Sequence, residues 1–273
     1  DLYPDDEANT LRQASVDWLT DRMALASARL RPPGLWTEMA DMGWLSMTSP
    51  ADADGLGLTH ATEALVFAEM GRFLAPVAAL STAIARRWFG TRGKVALALA
   101  SGLKWRILDA DASGHALAAA PDGTCISAIA TPVTHPSLDL STMQALIDVP
   151  GPAHQTHDPR AYLHLALLAA AYALGTADAA RDMGAGYAAI REQFGQAIGA
   201  FQGVKHPCAD MAVRCAVARS QLYYAACAID AGDADAAFHI AAAKRLADSA
   251  ALDNARANIQ VHGGIGMTDE AAA

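Results

Sequence analysis

The stretch from Asp158 to Ile259 restricts the fold more than any other part of the chain. It is rich in alanine and leucine at helical spacing and is broken in only two places. Asp158-Pro159 sets an N-cap before a proline at the first helical position, so a helix is expected to start there and to run to about Ile190. A second helix is expected over about 203–230, stopped by Asp230-Ala231-Gly232, and Asp233 caps a third that reaches about Ile259. Long helices joined by short links become antiparallel neighbours, so this part must pack as a bundle.

The preceding residues fall into two zones. Residues 1–90 read as helical. PDDEANTLRQASVDWLTDRMALASARL opens on acidic N-cap candidates and is stopped by Pro32-Pro33-Gly34. LWTEMADM is a short helix ending at Gly43, Thr59 caps the next, and an apolar run from Pro76 ends near Gly90. Residues 91–157 change character. Short apolar bursts are cut by Asp, Gly and Pro, with turn signals at SGH and PDGT, which reads as a small β-rich zone.

Composition narrows the function classes. Charged residues are 18% against about 25% in a typical soluble domain, so part of the surface is expected to be buried against another chain. The net charge is −9 with no basic cluster, which argues against nucleic acid as a partner. Cys125, Cys208, Cys215 and Cys227 have no metal spacing, no metal site is expected, and a reducing cytoplasm is the default location. The greasy run 161–175 contains a histidine and is short for a bilayer, so it reads as a buried helix and not as a membrane span. No signal-peptide pattern is visible.

Two stretches carry chemistry. In REQFGQAIGAFQ, residues 191–202, Arg191 offers a planar fork of donors suited to phosphate oxygens. Gln193 and Gln202 add neutral donors, Phe194 can pack on a flat ring, and the glycines allow close backbone approach. The alternative is an ordinary helix–helix turn. In QVHGGIG, residues 260–266, three glycines in four residues free backbone N–H groups to face an anion. The alternative is a flexible turn after a helix.

Taken together, R-x-Q-F-G-x-x-I-x-x-F-Q-x-V-K-H and the later I-Q-V-H-G-G-I-G-M-T-D-E resemble the acyl-CoA dehydrogenase family. The resemblance extends through ADAARDMGAGYA and through GLGLTHATEALVFAEMGRFLAP near the N-terminus; the middle zone matches poorly. It implies a mainly α fold with a small β domain: an N-terminal helical domain (1–90), a reduced β-barrel domain (91–157) and a C-terminal four-helix-type bundle (158–273). It implies FAD and α,β-dehydrogenation of an acyl-CoA. In this family one chain's middle domain holds the flavin ring, while its neighbour's C-terminal domain grips the diphosphate and adenosine. The matching positions are Arg191, Gln193, Phe194, Gln202, Gln260, Gly263 and Gly264.

The TEP-like, GSD-containing and W-x-T/S segments that line the flavin in the family are absent from the middle zone. Trp105 reads there as a β-core residue. No carboxylate occupies the family's alternative base position near His164-Leu165; Asp158 reads as an N-cap, His164 as a core histidine and Glu270 as structural. The expectation is therefore a small subunit with no catalytic residue of its own. It would complete the FAD site of a larger acyl-CoA dehydrogenase paralogue in an α2β2 assembly. That partner would bring the base and most of the acyl-CoA site, with a steroid side-chain or other bulky acyl group as substrate and a flavoprotein as electron acceptor. The alternatives are a homomeric enzyme with its base beyond Ala273, and a flavin-free scaffold. A di-iron bundle is set aside because no E-x-x-H pair occurs.

Overall fold

The computed structural model describes residues 4–25, 28, 31, 32, 34–120, 122, 125–129, 133–139, 141–149, 151, 152, 154–268, 270 and 271. Four helices come first: α1 (Asp6–Arg22), α2 (Leu35–Asp41), α3 (His60–Arg72) and α4 (Ala78–Phe89). Seven strands follow: β1 (Val95–Ser101), β2 (Lys104–Leu108), β3 (His115–Ala119), β4 (Cys125–Ile129), β5 (His135–Pro136), β6 (Met143–Asp148) and β7 (His154–Thr156). The rest is α5 (Pro159–Ile190), the short strands β8 (Glu192–Gln193) and β9 (Gln196–Ala197), α6 (Gln202–Asp230) and α7 (Ala236–His262).

Local chemistry explains the helix starts. Asp5 Oδ1 accepts the Ala8 N–H at 2.8 Å, Thr59 Oγ1 the Thr62 N–H at 3.1 Å, and Asp158 Oδ1 the Arg160 N–H at 2.9 Å. The Asp158 carboxylate is held below its ordinary range chiefly by the Arg160 side chain, which fits a charged cap. Gly90 and Gly232 follow α4 and α6 with φ of 64° and 67°, the left-handed conformation that ends a helix. The first helix is shorter than the sequence suggests. It stops at Arg22; Met23 and Ala24 are not helical and Met23 is fully buried, so packing overrides helical propensity at that point. Residues 26, 27, 29, 30 and 33, and most of the PDGT turn, lie outside the described residues.

By packing, the chain forms two compact units that cut across the three sequence zones. One comprises 1–20, 64–73 and 169–273. Its core is the α6–α7 pair, where Met211, Cys215, Ala218, Leu222 and Ala225 alternate at four- and three-residue spacing along one buried face. The amide of Asn254 on α7 is buried and donates to the carbonyls of Ala177 on α5 (3.1 Å) and Met211 on α6 (3.2 Å), tying three helices together. Against α3, α5 approaches backbone to backbone. A Cβ on Gly175 would lie 1.8 Å from the Ala68 carbonyl oxygen, and one on Gly71 would lie 1.9 Å from that of Tyr172.

The second unit comprises 21–63 and 74–168 and holds the sheet, in the order β5-β6-β2-β1-β3-β4-β7. Among the described residues, only β1 and β3 pair in parallel. Trp105 and Ile107 fill one face among alanines such as Ala96, Ala116 and Ala145, so Trp105 is a core residue. On α4, Ser81 and Thr82 bond to the Val95 backbone, joining helix to sheet.

Candidate cofactor-binding site

The Arg191 segment is a miniature hairpin. The Arg191 N–H still donates to the Tyr187 carbonyl at 2.9 Å, as in the last turn of α5. The chain then reverses through β8 and β9, and the Ile198 N–H returns to the Arg191 carbonyl at 2.7 Å. Both residues at the tip have positive φ, Phe194 at 53° and Gly195 at 81°, the pattern of a two-residue turn matched to strand twist. Glycine adopts this freely. For a bulky residue such as phenylalanine it costs about 1–3 kcal/mol. The Phe194 ring nevertheless stands 93% exposed, with an edge contact to Phe201 at 6.1 Å between centroids.

The remaining positions face solvent. Arg191 is exposed, and its guanidinium makes no hydrogen bond or ion pair with the described residues. Gln193 donates to its neighbour's carbonyl at 2.8 Å, Gln202 opens α6, and Gln260 lies exposed on the last turn of α7. Gly263 ends α7 at φ 65° and ψ −140°, and a Cβ on Gly263 or Gly264 would touch nothing within 4 Å. Packing within this chain therefore does not call for glycine at 264.

The structure joins the roots of the two segments through a contact that the sequence does not announce. The rings of Tyr187, one turn before Arg191, and His262, just before Gly263, stack at 4.2 Å with 21° between their planes. His262 Nδ1 donates to the Asn258 carbonyl at 2.9 Å, which fixes the ring's orientation. The only sequence signal for Tyr187 is its place near the end of the ADAARDMGAGYA stretch.

Two of the candidate base positions are already engaged within the chain. Asp158 is occupied as a cap. His164 is fully buried, with Nε2 2.6 Å from Glu63 Oε2 and with the Trp88 indole N–H donating to Nδ1 at 3.3 Å. Because Nδ1 accepts, the ring proton sits on Nε2 and is donated to Glu63. Glu63, also fully buried, takes a further bond from Thr48 Oγ1 at 3.4 Å. Glu270 is exposed, and its N–H bonds to Thr268 Oγ1 at 3.3 Å. Cys215 is buried, which pushes its thiol up to about 11 and leaves it unreactive.

Fold and hairpin together have the character of an acyl-CoA dehydrogenase. The descriptions of that family's C-terminal and N-terminal domains match residues 162–273 and 5–91. The chain is 33% identical to the acyl-CoA dehydrogenase IpdE2 of Mycobacterium tuberculosis, over 98% of this chain and 89% of that protein. Among solved structures, the steroid ACAD Tcur3481-Tcur3483 superposes with a TM-score of 0.78 at 25% identity, covering 97% of this chain and 89% of that one. The ChsE4-ChsE5 complex of Mycobacterium tuberculosis superposes with a TM-score of 0.78 at 21% identity, covering 100% and 90%. The chain belongs to the acyl-CoA dehydrogenase family, whose members are FAD-dependent oxidoreductases. The donor set fits part of that cofactor: an unpaired guanidinium and an open glycine turn suit a diphosphate, and an exposed ring suits a planar base.

Proposed function

We propose that this chain is the small subunit of a heteromeric, FAD-dependent acyl-CoA dehydrogenase acting on a steroid side-chain or other bulky acyl-CoA in the cytoplasm. It completes, from across a subunit boundary, a FAD site whose flavin platform and base belong to a larger paralogue. When bound, FAD supplies the hydride acceptor for α,β-dehydrogenation, and an electron-acceptor flavoprotein reoxidises it. Arg191 neutralises diphosphate charge, Phe194 packs on the adenosine side, and Gln193, Gln202, Gln260 and the Gly263-Gly264 backbone supply further donors. In this reading the middle zone, 91–157, is a reduced β domain between helical domains 1–90 and 158–273.

The observation that carries this reading is the hairpin tip, where a strained, exposed Phe194 stands beside an unpaired Arg191. Strain of this kind persists at sites where a partner uses it. The sealed His164 position and the capping role of Asp158 support a base on another chain. IpdE2 supports a reduced chain as a stable form of the family, since this chain spans 89% of it. The steroid assignment leans on the Tcur3481-Tcur3483 likeness.

Co-purification with the larger paralogue, followed by flavin counting, tests the proposal. One FAD per two unlike chains is expected. Arg191→Ala should weaken FAD retention in the complex about tenfold or more. Yellow, active protein from this chain alone would favour a homomeric enzyme. Flavin content unchanged by Arg191→Ala would favour a scaffold.

A further inference from the structure

The Tyr187–His262 stack joins the roots of the two cofactor-facing segments, and neither residue is among the donors assigned above. Several features hold it in place. On α5, Gly184 lets α7 come close: a Cβ there would sit 3.2 Å from Asn258 Oδ1 and 3.0 Å from the Met211 methyl. On the other side, a Cβ on Gly266 would meet His262 Cβ and the Ile259 carbonyl oxygen at 2.8 Å, so the turn after α7 folds tightly back on the ring. His262 is pinned by its bond to the Asn258 carbonyl. The Tyr187 backbone carbonyl receives the Arg191 N–H. A shift of the Tyr187 ring therefore moves the root of the Arg191 hairpin, and a shift of the His262 ring moves the Gly263 turn.

We infer that Tyr187 and His262 are positioning residues that couple the Arg191 hairpin to the Gly263-Gly264 turn, so that both meet one dinucleotide in register. The inference rests on the proposed FAD grip and deepens it. Precise placement of donors is what such a grip requires, because an offset near 1 Å forfeits most of a charge-assisted bond. The working contact is the face-to-face overlap of two flat rings, so the phenol oxygen is dispensable and the ring is not.

The test uses the assembled complex with the larger paralogue and reads FAD affinity by flavin fluorescence, alongside thermal unfolding without FAD. Tyr187→Phe should bind FAD within about twofold of wild type, whereas Tyr187→Leu, which keeps bulk but not the flat face, should lose roughly tenfold. Combining Tyr187→Leu with Arg191→Ala should cost little more than Arg191→Ala alone, because the tyrosine acts through the arginine. His262→Leu should reproduce Tyr187→Leu. A merely structural role would lower the unfolding temperature and leave the coupling additive, which overturns the inference. Loss of FAD in Arg191→Ala but not in Tyr187→Leu also overturns it and leaves the grip standing. No loss in Arg191→Ala removes the grip itself. Should Tyr187→Leu fail to assemble, His262→Leu and its double variant with Arg191→Ala carry the same comparison.

Discussion

Asp109 gives the sharpest prediction about what holds the sheet-bearing unit together. It is buried, with backbone φ of 52°, and its Oδ2 accepts the N–H of Ala78, the first residue of α4, at 2.9 Å. Thr142 Oγ1 donates to Oδ1 at 3.2 Å. One carboxylate thus caps α4 from the end of β2 and holds the approach to β6. Asp109→Ala leaves a buried N–H without an acceptor, about 1–3 kcal/mol, and puts alanine in the left-handed region, about 1 kcal/mol more. Relief from burying a charge offsets part of this, so about 1–3 kcal/mol should be lost, or roughly 3–10 °C in unfolding temperature. Asp109→Asn behaves differently. Asparagine tolerates positive φ, its oxygen accepts from Ala78, and its NH2 donates to Thr142 with the roles reversed. Burial is the largest influence on the Asp109 carboxyl and pushes its pKa up, against the Ala78 N–H, the Lys94 charge and the Thr142 hydroxyl. A raised folded-state value means that this group's contribution is fully present below the unfolded value of about 4 and is lost as pH rises through the folded one. Asp109→Asn should therefore match or exceed wild type at pH 7, with the gap closing as pH falls toward 4. Circular-dichroism melts from pH 4 to 8 read both trends. An asparagine variant as damaged as the alanine one at pH 7, or a gap indifferent to pH, refutes the reasoning.

Two further tests address packing. Glu63→Ala leaves the fully buried His164 Nε2–H without its partner and should lower the melting temperature by roughly 5–15 °C, while Glu63→Gln keeps an acceptor and should cost less. Gly175→Ala drives a Cβ into the Ala68 carbonyl and should cost more than about 3 kcal/mol, enough to abolish a cooperative melt, because two backbones must separate. Gly186→Ala on the same helix meets nothing and should stabilise by about 0.5–1 kcal/mol, which separates crowding from helix propensity.

The long helices were legible in the sequence because their ends are local chemistry. Asp158-Pro159 and Asp230-Ala231-Gly232 carry their caps and stops within a few residues. Trp105 was legible as β core because apolar bursts between turn signals mark strands whatever their partners. The His164 cluster was legible only in part. An apolar helix implies a satisfied histidine, but nothing local says that Glu63 and Trp88 satisfy it. The two compact units were not legible either, since the contacts joining 64–73 to 169–273 depend on Gly71 meeting Tyr172 and Gly175 meeting Ala68 across a long separation.

The hairpin shows why a site can be flagged by residue type and still be misdrawn in shape. Its glycines and glutamines mark a turn, but propensity gives no reason to place phenylalanine at the first positive-φ position, where asparagine or glycine would relax the chain. A local rule is broken and nothing among the described residues compensates: Phe194 is almost wholly exposed and its one described ring contact is an edge. Phenylalanine at that tip makes sense if compensation comes from outside, where a planar ligand or a neighbouring subunit covers the ring. On that argument Phe194→Asn should stabilise the isolated chain by about 1 kcal/mol while weakening FAD retention in the assembled complex. Melts of the chain alone and flavin titrations of the complex read the two effects separately. If the asparagine variant binds FAD as tightly as wild type, the strained ring has another purpose.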